Sequence, residues 1–473
     1  MNLQKKSTKE TQKNWTAVIL AAGKGTRMQN TLPKVLHPVA GQPMLHYVVH
    51  ACKQAECSEI RLIVGYGQGL VEQVAVPWGL STFVQNQQLG TAHAVMSASY
   101  ETFEGDIFIV AGDHPLLTAG DIKEFYRVYN EEKMDLCIVT CELKHPKEFG
   151  RIVRSSGQIR AIVEAKDASA ETLKIKEVNT SIYFVKADLL KELLPKIKNH
   201  NSKGEYYLTE IVSLALEYNY KVGSVKANSR VAFGVNTQDE LSQATSHIYK
   251  MKSKALLNSG VLMLDPKTAY IEPTVQIGSG SVIYPNVFIK GDTAIGSFAM
   301  IESNCFINNS EIGDGTMIKA GSYIEEAKIA EKCSVGPFAR IRPGSELASE
   351  VHIGNFVELK KAKMGKKAKA GHLSYLGDCE IGQETNIGCG TITCNYAVDR
   401  KKYKTQIGDR VFVGSDSQFV APVKVGDDAI IGSGSTITKD VPAKALAVAR
   451  GKQFIKENYS DKLNSSKDSD KEA

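Results

Sequence analysis

No apolar run in this chain reaches the ~18 residues that a membrane-crossing helix needs, so none is expected. The opening stretch, MNLQKKSTKETQKN, is polar and holds no apolar segment, and no secretory signal is expected in it. Nine cysteines are present, yet none form a C-x-x-C pair; the tightest spacings are Cys137/Cys141, Cys52/Cys57 and Cys389/Cys394. That pattern speaks against a metal or disulfide framework and for unpaired thiols in a reducing cytoplasm. Positive charge is not concentrated either. The net charge is +6, and lysines alternate with acids rather than crowding one element, so nucleic acid is not an expected partner. Hydrophobic residues at 42% and charged residues at 23% are ordinary for a globular protein. With 473 residues, one core is too few, and two or three domains are expected.

The two halves obey different periodicities. In the first, short β-rich runs (Val18–Ala21, Ile60–Val64, Asp106–Val110, Leu136–Thr140, Ile182–Val185) alternate with helical patterns such as Met44–Ala55 and Ile122–Glu131. This alternation predicts a mostly parallel, doubly wound Rossmann-like α/β sheet, which binds ligands at the carboxyl ends of its strands. In the second, apolar residues recur every six positions: Ile277, Ile283, Ile289, Ile295, Ile301 and Ile307, and again Ile407, Val413, Phe419, Val425, Ile431 and Ile437. Six helical steps rotate a side chain by 240°, which scatters these residues over three faces. A six-residue beat suits short strands separated by turns, the hexapeptide repeat of a parallel β-helix in which stacked coils share one core. The beat looks interrupted over Leu359–Thr405. The expected layout is a polar extension at residues 1–15, an α/β domain at 16–238, a linker helix at 239–259, a β-helix at 260–455 and a disordered tail at 456–473.

The most specific local motif is Leu20-Ala-Ala-Gly-Lys-Gly-Thr-Arg-Met28, followed by Leu32-Pro-Lys34. Gly23 and Gly25 let backbone amides approach phosphate oxygens, and Arg27 and Lys34 bring compensating charge. The loop is neither a Walker A sequence nor a dinucleotide fingerprint, because Met28 stands where the third glycine would be.

These residues resemble the sugar-phosphate nucleotidyltransferase family. From about Ala17 to Arg450 the chain is similar to the bacterial bifunctional N-acetylglucosamine-1-phosphate uridyltransferase / glucosamine-1-phosphate N-acetyltransferase family. The resemblance implies a β-helix that is left-handed and a UTP site formed by Leu20, Ala21, Ala22, Gly23 and Lys34. It implies uracil recognition by Gln85, Gln88, Gly90 and Thr91, and N-acetylglucosamine contacts from Gly150, Glu164 and Asn179. Asp113 and Asn236 would hold Mg²⁺, a hard cation suited to oxygen ligands and phosphates. The chain departs from the family pattern at Ala111, before Gly112-Asp113, and at Ser181, in Asn179-Thr-Ser181.

The second half carries a chemically rich stretch at Gly371-His-Leu-Ser-Tyr375. Acetylating an amine requires a base, and an imidazole such as that of His372 serves near neutral pH. By resemblance His372 is that base, and Arg342, Lys360, Tyr375, Asn386 and Lys402 hold glucosamine 1-phosphate. Cys389, Asn395, Tyr396, Ser415, Ser433 and Arg450 would line the acetyl-CoA groove. A further departure, Ala397-Val-Asp-Arg400, is one residue longer than the family's loop and precedes Lys402. The resemblance implies a cytoplasmic homotrimer that makes UDP-N-acetylglucosamine for peptidoglycan, cell-wall and lipopolysaccharide synthesis. Two rival readings stay open: a single-activity nucleotidyltransferase with a β-helix used for assembly, and a noncatalytic sugar-nucleotide sensor. The Gly371-His372…Asn395-Tyr396 cluster speaks against the first, and the Lys34, Asp113, Asn236 set against the second.

Overall fold

The computed structural model describes residues 15–201 and 204–461. The expected extension at 1–15 falls outside them except for Trp15, and so does the expected tail from 462 onward. The chain divides into two compact units between Tyr249 and Lys250. No helix among the described residues is long and apolar enough to cross a membrane. The nine cysteines are unpaired, and six of them are buried.

The first unit is built on one mixed sheet of nine strands. These are β1 (Trp15–Leu20), β2 (Glu59–Val64), β3 (Ser81–Val84), β4 (Asp106–Ala111), β5 (Leu136–Glu142), β6 (Arg151–Ser155), β7 (Gln158–Val163), β8 (Glu177–Lys186) and β9 (Val222–Lys226). Their order is β9-β5-β8-β4-β1-β2-β3, with the β6/β7 hairpin carried on β8. β8 runs antiparallel to β4 and β5, and the other main pairings are parallel. Alternating side chains feed two cores, as a sheet covered on both faces requires. Ala17 and Ile19 pack with Leu45, Val48 and Cys52 of α1 (Met44–Gln54) and with Ile122, Phe125 and Tyr129 of α2 (Ala119–Glu131). Val18 packs on the opposite face with Val95, Leu189 and Ile211. Helix α2 starts on a capping box: Asp121 N–H donates to Thr118 Oγ1 at 3.3 Å, and Thr118 N–H donates to Asp121 Oδ2 at 2.9 Å.

A long helix, α3 (Gln238–Asn258), crosses the boundary between the units. Ala244 and Ile248 belong to an apolar cluster of the first unit, and Leu256 to the core of the second.

The second unit is a parallel β-helix whose apolar beat resolves into three rows. One runs through Ile277, Ile295, Ile312, Ile329, Leu347, Met364, Ile381, Ile407 and Val425. A second runs through Ile283, Ile301, Ile318, Val335, Ile353, Ala370, Ile387, Val413 and Ile431. The third runs from Ile289, Ile307, Ile324 and Ile341 to Leu359 and Leu376, and resumes at Phe419 and Ile437. Each buried isoleucine contributes roughly 1.5–3 kcal/mol by leaving water, which is why no coil is stable without its neighbours. Many corner hydroxyls are buried and bonded, while those of Ser345 and Thr405 are buried without a partner. Thr316 Oγ1 donates to the Ala330 carbonyl at 2.8 Å and accepts from Cys333 N–H at 3.1 Å, so the turn keeps no orphan amide there.

The interruption expected over Leu359–Thr405 is narrower in the structure. Met364, Ala370, Leu376, Ile381 and Ile387 keep the rows. What leaves them is a hairpin at residues 395–404, tied by a Tyr396/Lys402 bridge and by Tyr403 N–H donating to the Asn395 carbonyl at 2.8 Å.

Candidate functional sites

In the first unit, a cleft of about 780 Å³ opens at the carboxyl ends of β1 and β4. Leu20, Ala22, Gly23, Gln85, Gln88, Gly90, Thr91, Asp113, Glu164 and Asn236 all line it. Their supports come from distant segments. Gln85 Nε2 donates to the Gly90 carbonyl at 3.1 Å, and Thr91 Oγ1 accepts from Leu208 N–H at 2.9 Å. Gly90 adopts φ 115°, and a Cβ there would strike the Tyr206 backbone, so the residue must be glycine. Thr209 Oγ1 donates to Glu164 at 3.1 Å.

Asn236 is presented by the start of α3. Glu240 accepts from Asn236 N–H at 2.7 Å and from Thr237 N–H at 3.1 Å, closing a capping box with Thr237. Lys34 Nζ donates to Asn236 Oδ1 at 2.6 Å and forms an ion pair with Asp113 Oδ2. Burial alone would push the Asp113 carboxyl up, but Lys34 and His114 outweigh it and hold it below the usual range, so it is anionic. Its other oxygen, Oδ1, is buried without a hydrogen-bond partner; His114 Nε2 stands 3.5 Å away. An orphaned anionic oxygen beside an amide oxygen fits a hard divalent cation that takes its remaining ligands from water and phosphate. Among the described residues no group of three or more His, Cys, Asp or Glu could hold a metal, and Asp113 and Asn236 are the residues that would hold a cation here.

Lys34 meets the cleft through Asp113 and Asn236, and three further expected contacts are set back from it. Ala21 is buried in the core. Asn179 is buried and satisfied by its neighbours: Nδ2 donates to Tyr183 Oη at 2.7 Å, and Oδ1 accepts from Ser181 N–H at 3.0 Å. Gly150 gives its carbonyl to Asn179 N–H at 2.9 Å. Ser181 itself lines the cleft. Two residues that sequence reasoning missed also line it. His114 flanks Asp113, and Glu148 pairs at 3.1 Å with Arg27, which in turn donates to Asn236 Oδ1 at 3.0 Å. Glu148 lies 121 positions from Arg27, and no local motif announces such a pair.

In the second unit, coil arithmetic organises the other site. Asn355 and His372 are register partners on adjacent strands, His352–Lys360 and Lys369–Gly377. The register of Ala370, Ile387, Val413 and Ile431 extends this column two residues on, to Cys389, Ser415 and Ser433. Four of the expected site residues therefore stack along one edge, at a coil rise of roughly 4.8 Å. Arg450 closes the column, donating to the Ser433 carbonyl at 2.8 Å. The strands approach so closely that a Cβ on Gly354 would overlap the Gly371 carbonyl, which makes glycine obligatory there.

His372 is exposed, and its Nδ1 lies 2.9 Å from Asn355 Oδ1. Tyr375 pairs in register with Glu358, and Glu358 accepts from Arg342 at 2.7 Å. Lys402, carried by the hairpin, lies against Lys360: contact and repulsion from the Lys402 ammonium, with a smaller push from Arg342, lower the Lys360 pKa. The longer loop thus leaves Lys402 beside Lys360. Asn395 is buried and donates to Asp378, which anchors the hairpin, while Tyr396 is exposed. Asn386 lies in register with Lys369.

Comparison with known proteins follows the same division. Residues 17–179 match the MobA-like NTP transferase domain. Residues 266–364 match the GMPPB C-terminal domain, and 404–439 match the six-repeat bacterial transferase hexapeptide. The bifunctional protein GlmU of Bdellovibrio bacteriovorus is 61% identical over 94% of this chain and 98% of its own length. Those of Carboxydothermus hydrogenoformans and Acinetobacter baumannii are 44% and 43% identical, over 93% and 94% of this chain and 99% and 98% of their own lengths. Both sites thus lie in a chain that is similar to these relatives over 93–94% of its length, and it belongs to the bifunctional GlmU family.

Proposed function

We propose that the protein is a bifunctional transferase of UDP-N-acetylglucosamine synthesis. The β-helix acetylates glucosamine 1-phosphate from acetyl-CoA, and the α/β unit transfers UMP from UTP to N-acetylglucosamine 1-phosphate, releasing pyrophosphate. The observation that carries this reading is the co-occurrence, in one chain, of a cleft joining Lys34, Asp113 and Asn236 with a β-helix that carries both a cation cluster of Arg342, Lys360 and Lys402 and an exposed His372 bonded to Asn355.

In the uridyl site, nucleotidyl transfer needs positioning and charge neutralisation rather than a protein nucleophile. Gln85, Gln88 and the Gly90–Thr91 turn read the uracil edge, the Gly23 loop admits the phosphates, and Lys34 and Arg27 balance their charge. Mg²⁺ held by Asp113 and Asn236 would supply further charge neutralisation at the phosphates. In the acetyl site, the three cations hold the sugar's phosphate, His372 accepts the proton shed by the amine, and the Cys389–Ser415–Ser433 column guides the cofactor.

The working form is a homotrimer. Phe338, Phe356 and Leu373 are 56%, 58% and 61% exposed, and all three adopt left-handed backbone (φ 54°, 57° and 38°). Large apolar side chains in that conformation are costly, and they flank Asn355 and His372. A second copy covering this ridge would close the acetyl site. The enzyme belongs in the cytoplasm, where UTP and acetyl-CoA are made, and its product feeds peptidoglycan and lipopolysaccharide synthesis.

The test is one incubation with glucosamine 1-phosphate, acetyl-CoA, UTP and Mg²⁺, following free thiol and pyrophosphate. Both should appear. Pyrophosphate from added N-acetylglucosamine 1-phosphate with no thiol release would leave only a nucleotidyltransferase carrying an assembly module.

A further inference from the structure

We infer that Asn355 is a positioning residue for acetyl transfer: its side-chain oxygen accepts from His372 Nδ1–H and holds the ring with Nε2 as the free base. The inference rests on the reading of His372 as the base. An amide oxygen accepts and cannot donate, so at this 2.9 Å contact the proton sits on Nδ1 and the lone pair on Nε2. The partner is fixed by the fold. Asn355 and His372 are paired across adjacent strands, and the close approach of Gly354 to Gly371 sets the distance between their backbones.

The chemistry explains why the partner is an amide. As the amine nitrogen bonds to the acetyl carbon, the C–S bond breaks with its electrons going to sulphur, and the proton lost by nitrogen passes to Nε2. A carboxylate in place of Asn355 would orient the ring equally well but would also stabilise the imidazolium, keeping the base protonated to higher pH. A neutral acceptor orients the base without charging it. The titratable groups around the ring are His352, whose charged form is disfavoured by burial and then by Lys319, Lys369 and His372, and the Cys389 thiol one coil away. Among the described residues no carboxylate is ion-paired with His372.

The test is the pH dependence of acetyl transfer by the full-length enzyme for Asn355→Asp and Asn355→Leu, with uridyl transfer and thermal melting as folding controls. Asn355→Asp is isosteric and should fold. Its acid limb in kcat/KM should move upward by about one pH unit or more, with the rate recovered above it. Asn355→Leu should lose kcat roughly tenfold or more, with KM for glucosamine 1-phosphate little changed. An unmoved acid limb in the Asp variant, together with full kcat in the Leu variant, would overturn the inference. His372→Ala keeps the two levels apart. If it leaves acetyl transfer intact, the base itself is misassigned; if it abolishes transfer while the Asn355 variants behave as wild type, Asn355 alone is wrong.

Discussion

The two sites hold their positive charge in opposite ways. In the α/β unit the cations are paired before any substrate arrives: Lys34 with Asp113 and Asn236, and Arg27 with Asn236 and Glu148. In the β-helix Lys360 and Lys402 face each other, and their repulsion lowers the Lys360 pKa. Among the described residues Arg342 is ion-paired with Glu358, and the Asp378 carboxylate offsets only part of the repulsion at Lys360. The first arrangement suits a ligand that brings its own cation. With a metal–triphosphate bound, Asp113 would face positive charge and Lys34 negative charge, so their pair could separate without leaving either charge uncompensated. The second suits a ligand that brings only negative charge, for a phosphate monoester relieves a repulsion already present.

Removing Lys34 gives the largest expected effect and tests the first half of the comparison. Lys34→Gln should lower uridyl kcat/KM by roughly 10²–10³-fold, the scale of losing one charge-stabilising group. The same variant should bind Mn²⁺ without nucleotide roughly tenfold more tightly, because a competing ammonium has left Asp113. Titration with Mn²⁺, read by electron paramagnetic resonance, checks this independently of turnover. Weaker Mn²⁺ binding would mean that Lys34 supports the cation position rather than standing in for it.

Next in size is Gly354→Ala. The first site is organised by side-chain pairs and the second by contact between backbones, so one methyl group should damage only the second. Acetyl transfer should fall by roughly 10²-fold, in line with the sensitivity of catalysis to ~1 Å displacements, while uridyl transfer is retained. Equal loss of both activities would mean that the substitution unfolds more than the coil. A smaller effect is expected for Lys402→Gln: an increase of about tenfold in KM for glucosamine 1-phosphate, typical of one charge-assisted contact. The pH dependence sharpens it. Lys360 has a lowered pKa and loses its proton below the ordinary lysine range, so phosphate affinity should decline as pH rises through that point. Without Lys402 the decline should move to higher pH.

The β-helix was readable because its repeat is a geometric period: three strides of six make one coil, and the rows are that arithmetic folded up. Applied from His372 with one stride of each coil shortened to five, that arithmetic reaches Asn355 seventeen positions earlier and Cys389 seventeen later. The interruption at Leu359–Thr405 was read too wide because Met364 and Ala370 fill row positions with residues other than isoleucine or valine, and because some turns are one residue shorter. In the α/β unit the glycine loop was legible as local chemistry. Burial of Ala21 and Asn179 was not, since it depends on contacts with segments far away in the chain, Ile63 for Ala21 and Thr140 for Asn179.

Glu148 tests the comparison most finely. It adds a carboxylate to the lining of the cleft proposed for the triphosphate, where it is ion-paired with Arg27. Both side chains are well exposed, 58% and 76%, so the pair is screened and its worth lies within the ~0–1 kcal/mol usual for such bridges. If the internal pairs are exchanged for substrate, freeing Arg27 should favour the triphosphate and also its product. Glu148→Gln should therefore lower KM for UTP by about two- to fourfold and tighten pyrophosphate inhibition by a similar factor, consistent with that energy. Initial rates against UTP at several pyrophosphate concentrations measure both. A raised KM for UTP would show that Glu148 holds Arg27 in its working position, and the first site would then be pre-assembled in the manner of the second.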